Sequence, residues 1–254
     1  MKLEIAVVSA AGAGTAAAEG AHRVELCSSL ELGGITPSQG LMEASMEHVD
    51  GRLEIHPLIR SRPGDFRYSA SDVDTMVHEI RHLLAQGAHG VVVGALTPSG
   101  DVDVHAIQRL VEAARAANPE AQLTFHRAID QSKDPLAALE QLLELGFTRV
   151  LTSGHEATAG AGLKTLAAMA ERSGDAVEIM AGGGLSLDDI PAMHAAGLSA
   201  VHLSAKKTVS TLGDGAISLG AQDGADPTAY TVTDREVVRA AKAMVNALNL
   251  AAAK

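Results

Sequence analysis

The 254-residue sequence predicts an α/β fold, a TIM-like (β/α)8 barrel of parallel strands in a single domain over residues 1–254. Three observations carry this reading. Short apolar strand signals alternate with helical ones along the chain, which argues for a parallel sheet covered by helices. One junction recurs, at Glu19-Gly20-Ala21-His22-Arg23-Val24, Gln86-Gly87-Ala88-His89-Gly90-Val91, Leu145-Gly146-Phe147-Thr148-Arg149-Val150 and Ala196-Gly197-Leu198-Ser199-Ala200-Val201. In each a helix ends, Gly takes the left-handed cap, and a strand follows within a few residues. These copies precede every second predicted strand. Finally, the strands alternate apolar and polar side chains, so one face packs on helices and the other points inward. A doubly wound open sheet is the alternative fold; the strand count favours closure.

In chain order, Leu3 to Val8 is the first strand, followed by a small-residue helix ending near Gly20. Arg23 to Cys27 is the second strand, and Thr36-Pro37-Ser38 starts a helix, with Pro tolerated in its first turn. Leu53 to Ile59 is the third strand, and Pro63 and Gly64 keep the next loop from continuing it. A helix over Ser71 to Gln86 stops at Gly87, and Gly90 to Val93 is the fourth strand. Asp103 to Ala117 is a helix halted before Pro119; Leu123 begins the fifth strand, and Asp134 to Leu145 is the next helix. Arg149 to Leu151, Glu178 to Met180 and Ala200 to Leu203 are the remaining strands. Residues 206–231 are rich in Gly and Asp and read as a long loop, and a capping box at Thr233-Asp234-Arg235-Glu236 opens the last helix.

Composition narrows the class. Hydrophobic residues are 46%, charged residues 20% and aromatics only 2%, so the core must be aliphatic. A net charge of −11 argues against nucleic-acid partners, which demand a basic surface. A lone cysteine leaves no intrachain disulfide and fits a reducing cytoplasm. With no signal-peptide pattern and no apolar run long enough for a bilayer, the expectation is a soluble cytoplasmic protein with no membrane partner.

Strand parity then points to chemistry. Ile5, Val24, Leu26, Ile55, Ile59, Phe125, Val201 and Leu203 fall on the helix-facing side. Glu4, Glu25, Cys27, His56, Arg60, His126, Glu178 and His202 fall on the other. Barrel interiors are normally filled with branched aliphatics. Charges placed there must be paired, so Glu4, Glu25 and Glu178 are expected to meet Arg23, Arg60 or protonated histidines. A structural ion-pair network and an active site both fit; the gathering of barrel sites at C-terminal strand ends favours the site.

Several motifs resemble the CutC, or copper homeostasis protein, family. They are Arg23-Val24-Glu25-Leu26-Cys27 with Gly33-Gly34-Ile35-Thr36-Pro37-Ser38, Ile59-Arg60-Ser61-Arg62-Pro63-Gly64-Asp65-Phe66, and Gly94-Ala95-Leu96-Thr97-Pro98. Phe125-His126-Arg127-Ala128-Ile129-Asp130, Leu151-Thr152-Ser153-Gly154 and Ile179-Met180-Ala181-Gly182-Gly183-Gly184 continue the likeness, which runs to about Ser204. The resemblance implies a (β/α)8-like barrel, a cytoplasmic location and a link to copper handling. Ser61 stands where the family usually has Pro, as does Ala181, and both changes loosen a loop.

Two functional readings follow. Copper would draw on Cys27 as the one thiolate, with Met42, Met46 and Met180 as soft donors and His56, His126 and His202 as imidazoles. No Cys-x-x-Cys or Met-rich tract supports a dedicated site, and Met42 with Met46 also reads as core filling. The other reading is an enzyme of lyase, isomerase or hydrolase type, or a binder, acting on a small anionic molecule, phosphorylated or not. Gly182, Gly183 and Gly184 follow the seventh strand, where barrels often hold phosphate on backbone N–H groups and a helix N-terminus. Arg60, Arg62 and Arg127 could clamp a carboxylate or phosphate, with His202 and Ser153 as further ligand contacts. Glu25, His126 and Asp130 are the proton-transfer candidates, and Asp130 could equally serve to orient Arg127. Exposed apolar helix faces leave room for a homodimer.

Overall fold

The computed structural model describes residues 1–210 and 229–252. Eight parallel strands, β1 (Lys2–Val7), β2 (Arg23–Leu26), β3 (Glu54–Pro57), β4 (Gly90–Val93), β5 (Gln122–Phe125), β6 (Arg149–Thr152), β7 (Glu178–Ala181) and β8 (Ala200–Leu203), form one sheet. Its order, β3-β2-β1-β8-β7-β6-β5-β4, is that of a barrel with its seam between β3 and β4. A parallel bridge between Leu58 and Val92 spans that seam, with Ile59 N–H donating to the Val92 carbonyl at 2.8 Å and His89 N–H to Ile55 at 3.0 Å. Even-numbered residues of β3 donate toward β2, as Glu54 and Leu58 do, so odd-numbered ones face β4. Pro57 has no N–H to give there, which thins the ladder at this one seam.

Helices α1 (Ala10–Ala18), α2 (Gln39–Val49), α3 (Ala70–Ala85), α4 (Val104–Ala117), α5 (Pro135–Glu144), α6 (Leu163–Ser173), α7 (Ile190–Ala195) and α8 (Arg235–Ala252) alternate with the strands. Side chains cap their orphan amides: Ser9, Ser38, Asp103 and Asp134 each accept a first-turn N–H, and Ser69 with Asp72 forms a reciprocal capping box. At α8 the cap is Asp234, whose Oδ1 accepts Glu236 N–H at 3.0 Å, while Thr233 belongs to a strand. The two ends of the expected 206–231 loop pair as an antiparallel ribbon, β9 (Lys206–Ser210) with β10 (Ala229–Thr233). The interior of that segment lies outside the described residues.

The parity reading holds on every strand. Ile5, Val24, Leu26, Ile55, Ile59, Phe125, Val201 and Leu203 are all buried in the large core between sheet and helices. The inward faces carry two small apolar patches, Cys27 with Leu58 and Val92, and Leu151 with Met180 and Ala200. The rest of the interior is polar: Glu4, Arg23, Glu25, His56, Thr124, His126, Arg149 and His202 are each less than a tenth exposed.

Candidate functional site at the barrel mouth

The interior charges are paired from the N-terminal end of the barrel upward. Register sets Glu4 beside both Arg23 and His202, and Arg149 beside Glu178. Arg23 Nε donates to Glu4 Oε2, and its Nη2 reaches Glu178 Oε1 at 2.9 Å. Arg149 Nε also donates to Glu178, while its two Nη atoms donate to Thr124 Oγ1 and Gln122 Oε1, both at 2.9 Å. Burial would raise the Glu4 pKa, but Arg23 and His202 outweigh it and hold the carboxyl well below the usual range. This network is structural. The expected partner Arg60 is not in it; Arg149 takes that place. Its signal was available, since Arg149 shares the parity of Leu151 and Ser153 on β6.

Above the network, the C-terminal strand ends enclose a cavity of about 270 Å³. Glu25 and His202 form its floor, His126, Arg127 and Arg60 part of its wall, and Gly183, Gly184 and Lys206 part of its rim. His202 Nδ1 meets Glu4 Oε1 at 2.7 Å, and Nε2 lies 3.7 Å from Glu25 Oε2. Burial opposes the charged imidazole, but the Glu4 hydrogen bond and the Glu25 charge outweigh that and raise its pKa. Among the described residues Glu25 has no guanidinium partner, and burial pushes it up to about 7.

His126 directly follows β5 and turns inward, as parity requires. Its Nδ1 accepts Ala128 N–H at 3.1 Å, which assigns the ring proton to Nε2. That Nε2 is buried with no partner among the described residues. Burial, with Arg60 nearby, drops the pKa to about 3, so the ring is neutral and acts as a donor. His126, expected as a proton-transfer candidate, here presents a fixed N–H to the cavity. The ring lies 4.8 Å from Phe66, and Gly94 makes room for it: a Cβ there would lie 2.4 Å from Cε1.

Arg127 leaves the strand on a 3-10 turn over Arg127–Gln131 and swings across the mouth. Its Nε donates to Asp130 Oδ2 at 2.7 Å and Nη2 to Ser153 Oγ at 3.1 Å. Nη1 has no partner among the described residues. The guanidinium lies on the Gly183 backbone, where a Cβ would come within 2.5 Å of Cζ, and Gly183 has φ of 97°. Only glycine meets both demands. Asp130 also accepts Thr152 Oγ1 at 2.5 Å, Ser153 N–H at 3.0 Å and His155 N–H at 3.3 Å. With these lone pairs engaged, its contacts are those of the second expected role, orienting Arg127.

Other expected ligands are placed differently. Arg60 spends its Nη donors on the carbonyls of Leu32, Gly34 and Gly64 and stacks over Phe66 at 5.0 Å, so it braces the wall. Arg62 pairs outside with Asp65 at 2.9 Å and does not line the cavity. Gly182 packs against Leu151 and His202, and its N–H is taken by Thr152 O at 2.9 Å. The N–H groups of Gly183 and Gly184 have no partner among the described residues. At the start of the helix beyond them, Asp189 Oδ2 accepts both Ser186 N–H and Oγ–H and so places a carboxylate at that N-terminus. Phe66, Leu185 and Lys206 line the cavity without having been anticipated; they come from loops and from β9, where strand parity gives no guidance.

Cys27 is buried against Leu58 and Val92, and burial, reinforced by Glu25 and Glu31, raises its thiol pKa far above the ordinary value. Met180 Sδ receives Arg23 Nη2 at 3.4 Å, and Met42 is core. Among the described residues no three His, Cys, Asp or Glu side chains converge on a metal position. These donors do not fit a copper centre.

Residues 1–207 match the CutC family. A CutC family protein of Xanthomonas campestris pv. campestris strain 8004 is 41% identical over 211 residues, 83% of this chain and 85% of its own length. One from Proteus mirabilis strain HI4320 is 38% identical over 244 residues, 95% of each chain. The crystal structure of Streptococcus agalactiae CutC, named for copper homeostasis, superposes with a TM-score of 0.75 at 27% identity, covering 80% of this chain and 98% of that one. The chain belongs to the CutC family.

Proposed function

We propose that the barrel mouth binds a small molecule bearing a carboxylate or phosphate group. The arrangement of Arg127 carries this reading. Its guanidinium is held by Asp130 and Ser153 and laid on Gly183, with Nη1 left over. A cation fixed before the ligand arrives loses little rotamer freedom on binding. Lys206 adds a second positive charge at the rim, and the N–H groups of Gly183 and Gly184 stand beside them. Calorimetry with inorganic phosphate and small phosphorylated acids tests it. Wild type should bind, and Arg127→Met should lose at least ~10-fold in affinity, about 1.4 kcal/mol. Equal binding by both removes Arg127 from the site.

Family membership brings a second reading, a role in copper homeostasis with copper as cargo. Its one thiol donor is Cys27, and the surroundings of that side chain supply no further soft ligand of the kind Cu(I) prefers. We derive no step through copper. A cytoplasmic setting suits either reading: the one cysteine is free, and no helix among the described residues is long and apolar enough to cross a membrane.

A further inference from the structure

Two groups on the cavity wall are left unused by anion binding alone. One is His126, 4% exposed, whose Nε2–H has no acceptor among the described residues. A donor buried in this way gains a partner only from something entering the cavity. The other is Glu25, 7% exposed and the one carboxylate on the cavity wall among the described residues. Among the described residues it lacks the guanidinium that Glu4 and Glu178 each possess, and has only His202 at 3.7 Å. The two stand on β5 and β2, three strands apart around the barrel, so they approach a ligand from different sides.

We infer that the cavity enolises a small carbonyl compound that carries an oxyanion: Arg127 grips the anion, His126 donates Nε2–H to the carbonyl oxygen, and Glu25 removes a proton from the adjacent carbon. This rests on the anion-binding reading above. The step balances without a further reactant. The C–H pair becomes the new C=C bond, the carbonyl π pair moves onto oxygen, and the proton resides on Glu25 Oε. The negative charge thus passes from the carboxylate to the enolate oxygen, which the imidazole N–H faces. Return of the proton completes the cycle, to the same carbon for exchange or to a neighbouring one for isomerisation.

Each group suits its part. A neutral imidazole donates a hydrogen bond to a developing enolate without losing its proton, and the depressed pKa of about 3 keeps His126 in that form. A carboxyl near 7 is available as base at neutral pH and returns the proton readily. His202 is anchored on Glu4 at 2.7 Å, and despite burial Glu4 and Glu25 favour its charged form, which in turn favours the ionised state of Glu25.

The experiment is exchange of C–H protons in D2O, followed by proton NMR with dihydroxyacetone phosphate and pyruvate as probes, alongside calorimetric binding of the same two compounds. Wild type should bind at least one probe and exchange its α-protons above the buffer rate. Glu25→Gln should bind it within about threefold and lose ~100-fold or more in exchange. His126→Gln should lose exchange similarly while keeping affinity. Should Glu25→Gln melt below the assay temperature, Glu25→Asp, one methylene shorter, must show the same split. Binding without exchange by wild type overturns the enolisation and leaves anion binding intact. Binding of neither probe overturns both, and undiminished exchange in Glu25→Gln removes Glu25 as the base.

Discussion

Arg127 and Asp130 sit three residues apart on one 3-10 turn, and the carboxylate receives the Nε–H at 2.7 Å. The same carboxylate reaches across to β6 and binds Thr152 Oγ1 and the Ser153 N–H. One acid thereby aims the mouth arginine and ties the β5 and β6 loops together.

Asp130→Asn keeps an acceptor but loses the charge and one oxygen. It should weaken phosphate binding and also lower stability by about 1–3 kcal/mol, because several buried donors share that carboxylate. Urea melts and calorimetry read both effects. Unchanged affinity in a folded variant would show that Arg127 needs no tether.

Gly183→Ala should displace the Arg127 guanidinium, since the new Cβ would lie 2.5 Å from Cζ. The positive φ adds strain of roughly 1–2 kcal/mol. A drop of ~10-fold in phosphate affinity is expected, larger than that of Gly197→Ala, a control at φ 84° with open space around it. Equal affinities in the two variants would refute the placement.

Arg23→Met tests the interior network. It leaves Glu4 and Glu178 each short of a buried guanidinium, and breaking such a pair costs about 3–5 kcal/mol. A denaturation midpoint close to wild type would mean that His202 and Arg149 suffice to neutralise the two acids.

Stability should depend on pH in a way that Glu25 sets. His126 and His56 have folded pKa values of about 3 and about 4, below the unfolded 6.5, so the unfolded chain binds their protons first and stability falls as pH drops below 6.5. His22 is shifted the same way. Glu25, at about 7 against 4.5 unfolded, does the opposite: its stabilising share is full below 4.5 and lost as pH rises through 7. Between pH 5 and 6 it cancels about one histidine. Glu25→Gln should therefore steepen the loss by about 1.4 kcal/mol per pH unit, read from urea titrations at several pH values. Parallel slopes would contradict the raised Glu25.

Competition against a calibrated Cu(I) chelator should give the same result for wild type and Cys27→Ser. The thiol is buried among Leu58, Val92, Val8 and Leu30, and burial disfavours the thiolate that copper requires. Tighter Cu(I) retention by wild type would restore Cys27 as a ligand.

The sequence by itself determined the barrel and the contents of its interior. Side chains alternate with a period of two along a strand, so Glu4, Glu25, His56, His126 and His202 share one face whatever the rest of the fold does. The Gly caps and family motifs are equally local. Tertiary structure alone decided what those inward groups do. Arg60 and Arg127 look alike as loop arginines in the sequence; one commits its two Nη atoms to the carbonyls of Leu32, Gly34 and Gly64, while the other keeps Nη1 over a glycine. The pKa of His126 is pushed down and that of His202 up because one is buried against Phe66 near Arg60 and the other sits between Glu4 and Glu25. Proton affinity depends on burial and on charges brought from distant strands, and those neighbours exist only once the barrel has closed.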